Sequence, residues 1–97
     1  MKYQEHCKEC EEKLGKSWEC VHLWLDSKAK ASGGWQGHRC YYHHKEGIEE
    51  VRKRWGDEAA EAAELHILSD FGFGYVPDEE FVHKYYKVEY RKDGKYD

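Results

Sequence analysis

Residues 37–48 read Gly-His-Arg-Cys-Tyr-Tyr-His-His-Lys-Glu-Gly-Ile, and the helix predicted around them organises the expected fold. We place this helix from about Gln36 to Trp55. At about 100° per residue, side chains three and four positions apart share one face of a helix. Here that face comprises Tyr41, His44, Ile48, Val51 and Trp55. Gly47 lies one turn beyond the doublet His43-His44 and leaves the space that a methyl group would fill, so the sequence predicts imidazoles that point into the protein.

Length and composition indicate one small domain. The chain has 97 residues, of which 39% are hydrophobic, 37% charged and 15% aromatic, and the aromatic content argues against a disordered chain. A net charge of −4 gives no sign of nucleic-acid binding through phosphate neutralisation. No apolar run approaches the roughly 20 residues of a membrane span, and the N-terminal residues lack the apolar core of a signal peptide. We therefore expect a cytoplasmic protein that does not enter membranes.

Periodic apolar spacing predicts an all-α fold, a compact bundle of four to five helices. The predicted helices are Tyr3–Leu14, a segment from about Ser17 to Asp26, the helix from Gln36 to Trp55, Glu58–Asp70 and a segment that follows Pro77. Residues 1–86 would form the histidine-rich domain and residues 87–97 a charged tail. The alternation of Tyr86, Val88 and Tyr90 leaves open a short C-terminal strand in place of a helical extension.

Two histidine–aspartate pairs, His22 with Asp26 and His66 with Asp70, have a spacing of four residues. On a helix this spacing lets an imidazole and a carboxylate bind one ion together, or lets the carboxylate orient the imidazole. With the histidine doublet, the candidate metal ligands come from three helices, and they are His22, His43, His44, His66 and Asp70. Such convergence is how helical bundles build metal sites. A buried polar network without an ion is the alternative interpretation.

Imidazole and carboxylate ligands suit zinc, manganese, iron or nickel, and the ligand type does not choose among them. Zinc is the ion we expect first. A competing structural zinc site would use thiolates, because Cys7-x-x-Cys10 is a zinc half-site. Either Cys20 with His22 or Cys20 with Cys40 can complete it. Otherwise the cysteines pack as small residues. The expected inner face of the first helix comprises Tyr3, Cys7, Cys10 and Leu14. His6 could reach a site beside the second helix, but we expect it to be solvated because it lies near the terminus.

The order of these motifs resembles a known pattern. The chain contains, in sequence, His22-Leu-Trp-Leu-Asp-Ser-Lys28, His38-Arg39, His43-His44-Lys-Glu-Gly47, His66-Ile-Leu-Ser-Asp70 and Pro77. From His6 to Tyr85 this order resembles a family of small histidine-rich helical proteins from bacteria and phages, which implies that the histidines and Asp70 form one site. A looser similarity is to HD-type phosphohydrolases, in which histidines and aspartates hold one or two divalent ions, although the doublet here is His43-His44 in place of His-Asp.

Two functions are consistent with this pattern. The first is metal-assisted hydrolysis of a phosphoester or nucleotide, in which the ion lowers the pKa of a bound water. Asp70 or Asp26 would ligate the ion or accept the proton, and Lys28 or Arg39 would bind the small anionic substrate. The alternative is a non-enzymatic binding or inhibitor module with a protein partner, in which a structural metal or a buried His/Asp network stabilises the fold. The sequence does not indicate an oligomeric state.

Overall fold

The computed structural model describes residues 3–27 and 42–86, and within these ranges every regular element is a helix. The prediction of an all-α bundle is confirmed. The described ranges contain five helices, which are α1 (Tyr3–Leu14), α2 (Glu19–Leu25), α3 (Lys45–Trp55), α4 (Asp57–Asp70) and α5 (Glu79–Tyr86). Predictions that concern Lys28, His38, Arg39, Cys40 and the strand around Val88 fall outside the described residues. No described helix has both the length and the apolar character that crossing a membrane requires.

Helix α4 lies at the centre of the fold and packs against α1, α2 and α3. Its alanines are buried because their small side chains let neighbouring backbones approach closely, as the line of alanines before His66 predicts. The hydrophobic core around α4 includes Cys10, Val21, Leu25, Val51, Ile67 and Phe71. This packing brings the C-terminal end of α4, with His66 and Asp70, against α1 and α2. The fold thus places polar side chains at one end of an apolar core.

The predicted helix through the histidine doublet is wrong at the doublet itself. His44 has an extended backbone, with φ −161° and ψ 175°, and it is the N-cap of α3. Its Nδ1 accepts a hydrogen bond from the backbone N–H of Gly47 at 2.9 Å. The backbone N–H of Lys45 donates to the carbonyl of Pro77 at 2.9 Å, which is a contact between distant segments. The doublet therefore forms a bend, and its two side chains leave the chain in different directions.

The space beside Gly47 is filled by backbone. A Cβ at this position would lie 2.7 Å from the carbonyl carbon of Tyr42 and 3.1 Å from its Cα. Such distances are shorter than any ordinary carbon–carbon contact. Glycine is therefore needed here because the chain folds back on the first turn of α3, and this close approach sets the position of the bend at His43-His44.

Helices α3 and α5 are joined at their N-terminal ends. The carboxylate of Glu46 accepts from the backbone N–H of Glu79 at 3.0 Å. Nε2 of His44 lies 3.5 Å from the Glu79 carboxylate, whose side chain is 7% exposed. Because Nδ1 of His44 accepts from Gly47, a neutral His44 carries its proton on Nε2 and donates toward Glu79. His44 thus holds two helix ends together.

Candidate metal centre

Four side chains from three segments converge at the end of α4. His66 and Asp70 come from α4, Asp26 follows directly after α2, and His43 belongs to the bend before α3. The side chains of His43 and His66 are fully buried and that of Asp70 is 4% exposed, whereas Asp26 is 31% exposed. The site is therefore closed on three sides and reaches the surface at Asp26.

The four ligand atoms lie at the separations that a single ion imposes. Nε2 of His66 is 3.1 Å from Nε2 of His43, 3.2 Å from Oδ2 of Asp70 and 3.3 Å from Oδ1 of Asp26. Nε2 of His43 is 3.0 Å from the Asp70 oxygen and 3.4 Å from the Asp26 oxygen. In a tetrahedral site with bonds of about 2.0 Å, neighbouring ligand atoms are about 3.3 Å apart. Five of the six edges match this value, and the sixth, between the carboxylates, is within 4.8 Å.

A chain of hydrogen bonds fixes which nitrogen of His66 faces this cluster. The carbonyl oxygen of Ser17 lies 2.9 Å from Nε2 of His22 and can only accept, so a neutral His22 carries its proton on Nε2. Nδ1 of His22 then accepts from Nδ1–H of His66 at 2.9 Å. A neutral His66 is left with its lone pair on Nε2, the atom that faces the carboxylates of Asp26 and Asp70. A lone pair facing two carboxylates is favourable only if a cation or a proton lies between them.

His6 completes the environment of Asp70. Nε2 of His6 lies 3.2 Å from Oδ1 of Asp70 and donates to it, because a carboxylate only accepts. The His6 side chain is fully buried and its ring stacks on that of His66, with the centroids 3.7 Å apart. One oxygen of Asp70 is thus held by His6, while the other faces His43 and His66.

The electrostatics follow from burial and these contacts. Burial and the neighbouring His66 lower the pKa of His22 to about 4, so this imidazole is neutral at pH 7. Burial opposes a charge on His66, but its hydrogen bonds to Asp26 and Asp70 outweigh burial and raise its pKa. Burial lowers the pKa of His43.

Burial also opposes the charge on Asp70, yet hydrogen bonds from His43, His6 and His66 hold its pKa well below the usual range. The carboxylate of Asp70 therefore remains charged, and His66 is the imidazole whose raised pKa favours a proton.

The structure brings together most of the residues that the sequence singles out, but in different roles. His43, His66, Asp70 and Asp26 meet at one point. The side chain of His22 meets this group through its hydrogen bond to His66. The side chain of His44 instead caps α3 and faces Glu79. Lys28 and Arg39, the expected anion-binding residues, lie outside the described ranges.

His6 is a residue that the sequence interpretation left out of the site. The inner face of α1 buries His6 and Cys10, and the expectation of a solvated His6 is wrong. The spacing of four residues between His6 and Cys10 was a signal for this face, but α1 is mostly charged and offers few apolar residues to fix its rotation.

The three cysteines in the described ranges are not part of this centre. Cys7, Cys10 and Cys20 are free, with Cys10 buried, Cys7 partly buried and Cys20 exposed. Of the described residues, two groups can hold a metal ion, His6-His22-His66 and the cluster around Asp70, and neither includes a cysteine. The two groups share His66, whose neutral ring has one lone pair to offer.

Fold and site together define a small all-α protein with a buried histidine–aspartate cluster. Residues 1–84 match the family model described as "Domain of unknown function (DUF6915)", and the chain belongs to this family. The matched stretch includes all four side chains of the cluster. No curated protein and no solved structure matches the chain.

Proposed function

We propose that this protein binds one divalent transition-metal ion through Asp26, His43, His66 and Asp70. The observation that carries the proposal is the set of five nitrogen and oxygen separations of 3.0–3.4 Å around a common centre. Direct hydrogen bonds account for such a set poorly, because a single N–H on His66 cannot point at three atoms in different directions. An ion at the centre satisfies all four ligand atoms at once.

Charge balance supports a divalent ion. The carboxylate oxygens of Asp26 and Asp70 lie within 4.8 Å of each other. At an effective dielectric constant of about 20, two like charges no farther apart than this repel by at least about 3.5 kcal/mol. A proton on His66 offsets only one of the two charges. A divalent ion bound by two carboxylates and two neutral imidazoles leaves the cluster neutral.

The ligand types favour zinc over calcium or magnesium. Two imidazole nitrogens are ligands that zinc accepts readily, whereas calcium and magnesium prefer oxygen ligands in larger number. Asp70 has one oxygen held by His6, so it offers the ion a single oxygen. Manganese, iron and nickel also accept this set, with water in the remaining positions.

The role that the geometry favours is structural. The ion would tie the end of α2, the bend before α3 and the end of α4 into one unit. Four protein ligands are typical of structural zinc sites, which contribute directly to folding. Two surface grooves, of about 680 and 520 Å³, are lined by other residues such as Lys45 and Glu64 in the first and Cys7 in the second. Neither groove includes a ligand of the ion.

The test is zinc titration of the untagged, chelator-treated chain by competition with a chromophoric chelator. We expect one equivalent to bind and the melting temperature to rise. Asp70→Asn should lose this binding, whereas Asp57→Asn should retain it, because Asp57 is 88% exposed and pairs only with Arg52 among the described residues. Equal zinc binding by the two variants would reject the site.

Metal-dependent hydrolysis of a phosphoester or nucleotide is the second candidate, and the exposure of Asp26 favours it. This ligand is 31% exposed while the others are buried, so a water or substrate oxygen would approach the ion from its side. In this role the ion supplies an acidic water, and Asp26 would accept its proton. The motif similarity to HD-type phosphohydrolases points in the same direction.

Hydrolysis is tested on the zinc- and manganese-loaded chain with phosphomonoester, phosphodiester and nucleotide substrates. Turnover that requires the ion and is lost in Asp70→Asn would support this role. Full metal occupancy without turnover on any of these substrates would reject it and leave the structural role.

A further inference from the structure

Two fully buried histidines, His6 and His22, contact the cluster without facing its centre. Each makes one short polar contact to a proposed ligand, at 3.2 Å for His6 with Asp70 and at 2.9 Å for His22 with His66. Burying an imidazole is costly unless its polar atoms are used. Two such residues at the same place therefore call for a functional explanation beyond packing.

His22 controls the protonation pattern of His66. The chain reverses at Trp18, which has a left-handed backbone with φ 56° and ψ 46°. The carbonyl of the preceding Ser17 accepts from Nε2–H of His22, which makes Nδ1 of His22 an acceptor. That acceptor holds the proton of His66 on Nδ1 and leaves Nε2 with the lone pair that a metal needs.

His6 holds the orientation of the Asp70 carboxylate. Its Nε2–H occupies Oδ1, which fixes the carboxylate plane and directs Oδ2 toward His43 and His66. Nδ1 of His6 is buried and has no hydrogen-bond partner among the described residues. The donor at Nε2 is therefore the polar contact that His6 makes to the cluster, and it accounts for an imidazole at this position.

We propose that His6 and His22 are positioning residues that prepare Asp70 and His66 for the ion, His6 through a donor at Nε2 and His22 through an acceptor at Nδ1. This inference rests on the proposed function, because it assigns the means by which the same site gains affinity. Residues that orient metal ligands in this way typically change affinity by about 10–100-fold when they are removed.

Substitution by asparagine or by glutamine replaces one imidazole nitrogen at a time. The amide of asparagine lies near the position of Nδ1, and that of glutamine lies near Nε2. His22→Asn keeps an acceptor for His66, whereas His22→Gln places its amide beside Ser17. For His6 the order is reversed, because His6→Gln keeps a donor to Asp70 and His6→Asn does not reach it.

The experiment measures the zinc dissociation constant of the full chain and these four variants by chelator competition. We expect His22→Asn to bind zinc about 10-fold more tightly than His22→Gln, and His6→Gln about 10-fold more tightly than His6→Asn. If both histidines only filled space, the same one of the two residues, Asn or Gln, would give the higher zinc affinity at both positions. Equal affinities within each pair, or the same order at both, would overturn the inference.

A second measurement does not depend on substitution. Nitrogen-15 chemical shifts of the histidine rings in the zinc-free wild-type chain report which nitrogen carries the proton. We expect the proton on Nε2 in both His6 and His22, and a proton on Nδ1 with a bare Nε2 in either ring would overturn its assigned role. If the unsubstituted chain binds no zinc, the proposed metal site fails and this inference fails with it. The inference alone fails if the chain binds zinc but the variants do not show the expected opposite orders, with Asn the tighter binder at His22 and Gln the tighter binder at His6.

Discussion

Gly47→Ala is expected to destabilise the protein, against the usual effect of this substitution. In a helix interior, replacing glycine by alanine usually stabilises by about 1 kcal/mol. Here the new Cβ would lie 2.7 Å from the carbonyl carbon of Tyr42, whereas ordinary contact begins at 3.4 Å. The carbonyl oxygen of Tyr42 would lie closer still, so the backbone must retreat by at least roughly 0.7 Å, the difference between these two carbon–carbon distances.

The magnitude follows from two opposing effects. Overpacking against atoms that cannot rotate away costs about 3 kcal/mol, the upper end of the usual range. After the helix propensity gain of about 1 kcal/mol, the free energy of unfolding should fall by about 2 kcal/mol. For a domain of this size, that lowers the melting temperature by about 8–16 °C.

The same substitution should weaken the metal site. Tyr42 precedes His43, so a backbone shift of this size exceeds the tolerance of about 0.2 Å in metal–ligand distances. We expect zinc affinity to fall by at least about 10-fold.

Thermal unfolding followed by circular dichroism, with chelator and with zinc, measures both effects of Gly47→Ala. Gly72→Ala is the matched control, because a Cβ at Gly72 meets nothing within 4 Å. The control should melt within a few degrees of the wild type. A Gly47→Ala protein that melts at or above the wild-type temperature would refute the close approach of Tyr42 and the position of the bend.

Three further predictions separate the roles of other side chains. His43→Ala should lose zinc binding, whereas His44→Ala should keep one equivalent and lose about 1 kcal/mol of stability with its N-cap, as titration and melting can show. Zinc affinity should increase as pH rises above 6.5, because the raised pKa of His66 keeps a competing proton on its ring at lower pH. A zinc affinity that does not change between pH 6 and 8 would contradict this competition. Iodoacetamide should modify Cys20 before Cys10 in the folded protein, because burial raises the pKa of Cys10 to about 11, and peptide mass spectrometry that finds Cys10 modified first would contradict its burial.

Sequence periodicity located the residues that lie within single helices. His66 and Asp70 are one turn apart on α4, and the alanines before them indicated a buried face, so their meeting with another helix was predictable. The pair His22 and Asp26 was likewise found from its spacing, because such spacing is a local property of a helix.

The roles of the doublet could not be predicted in this way. They depend on contacts between distant segments, namely the carbonyl of Pro77 on Lys45 and the carbonyl of Tyr42 beside Gly47. These contacts involve backbone atoms, which every residue carries, so side-chain patterns do not reveal them. A histidine at an N-cap is also less common than serine, threonine, aspartate or asparagine, and the sequence therefore suggested a continuous helix through His44.

X-ray absorption spectroscopy of the zinc-loaded, untagged chain tests the central claim most directly. We predict four nitrogen or oxygen neighbours at about 2.0 Å, two of them imidazoles, with no sulfur at about 2.3 Å. In Asp70→Asn this signal should disappear together with the zinc. Sulfur neighbours would place the ion on cysteines, and either that result or a wild-type chain that retains no zinc would contradict the site formed by Asp26, His43, His66 and Asp70.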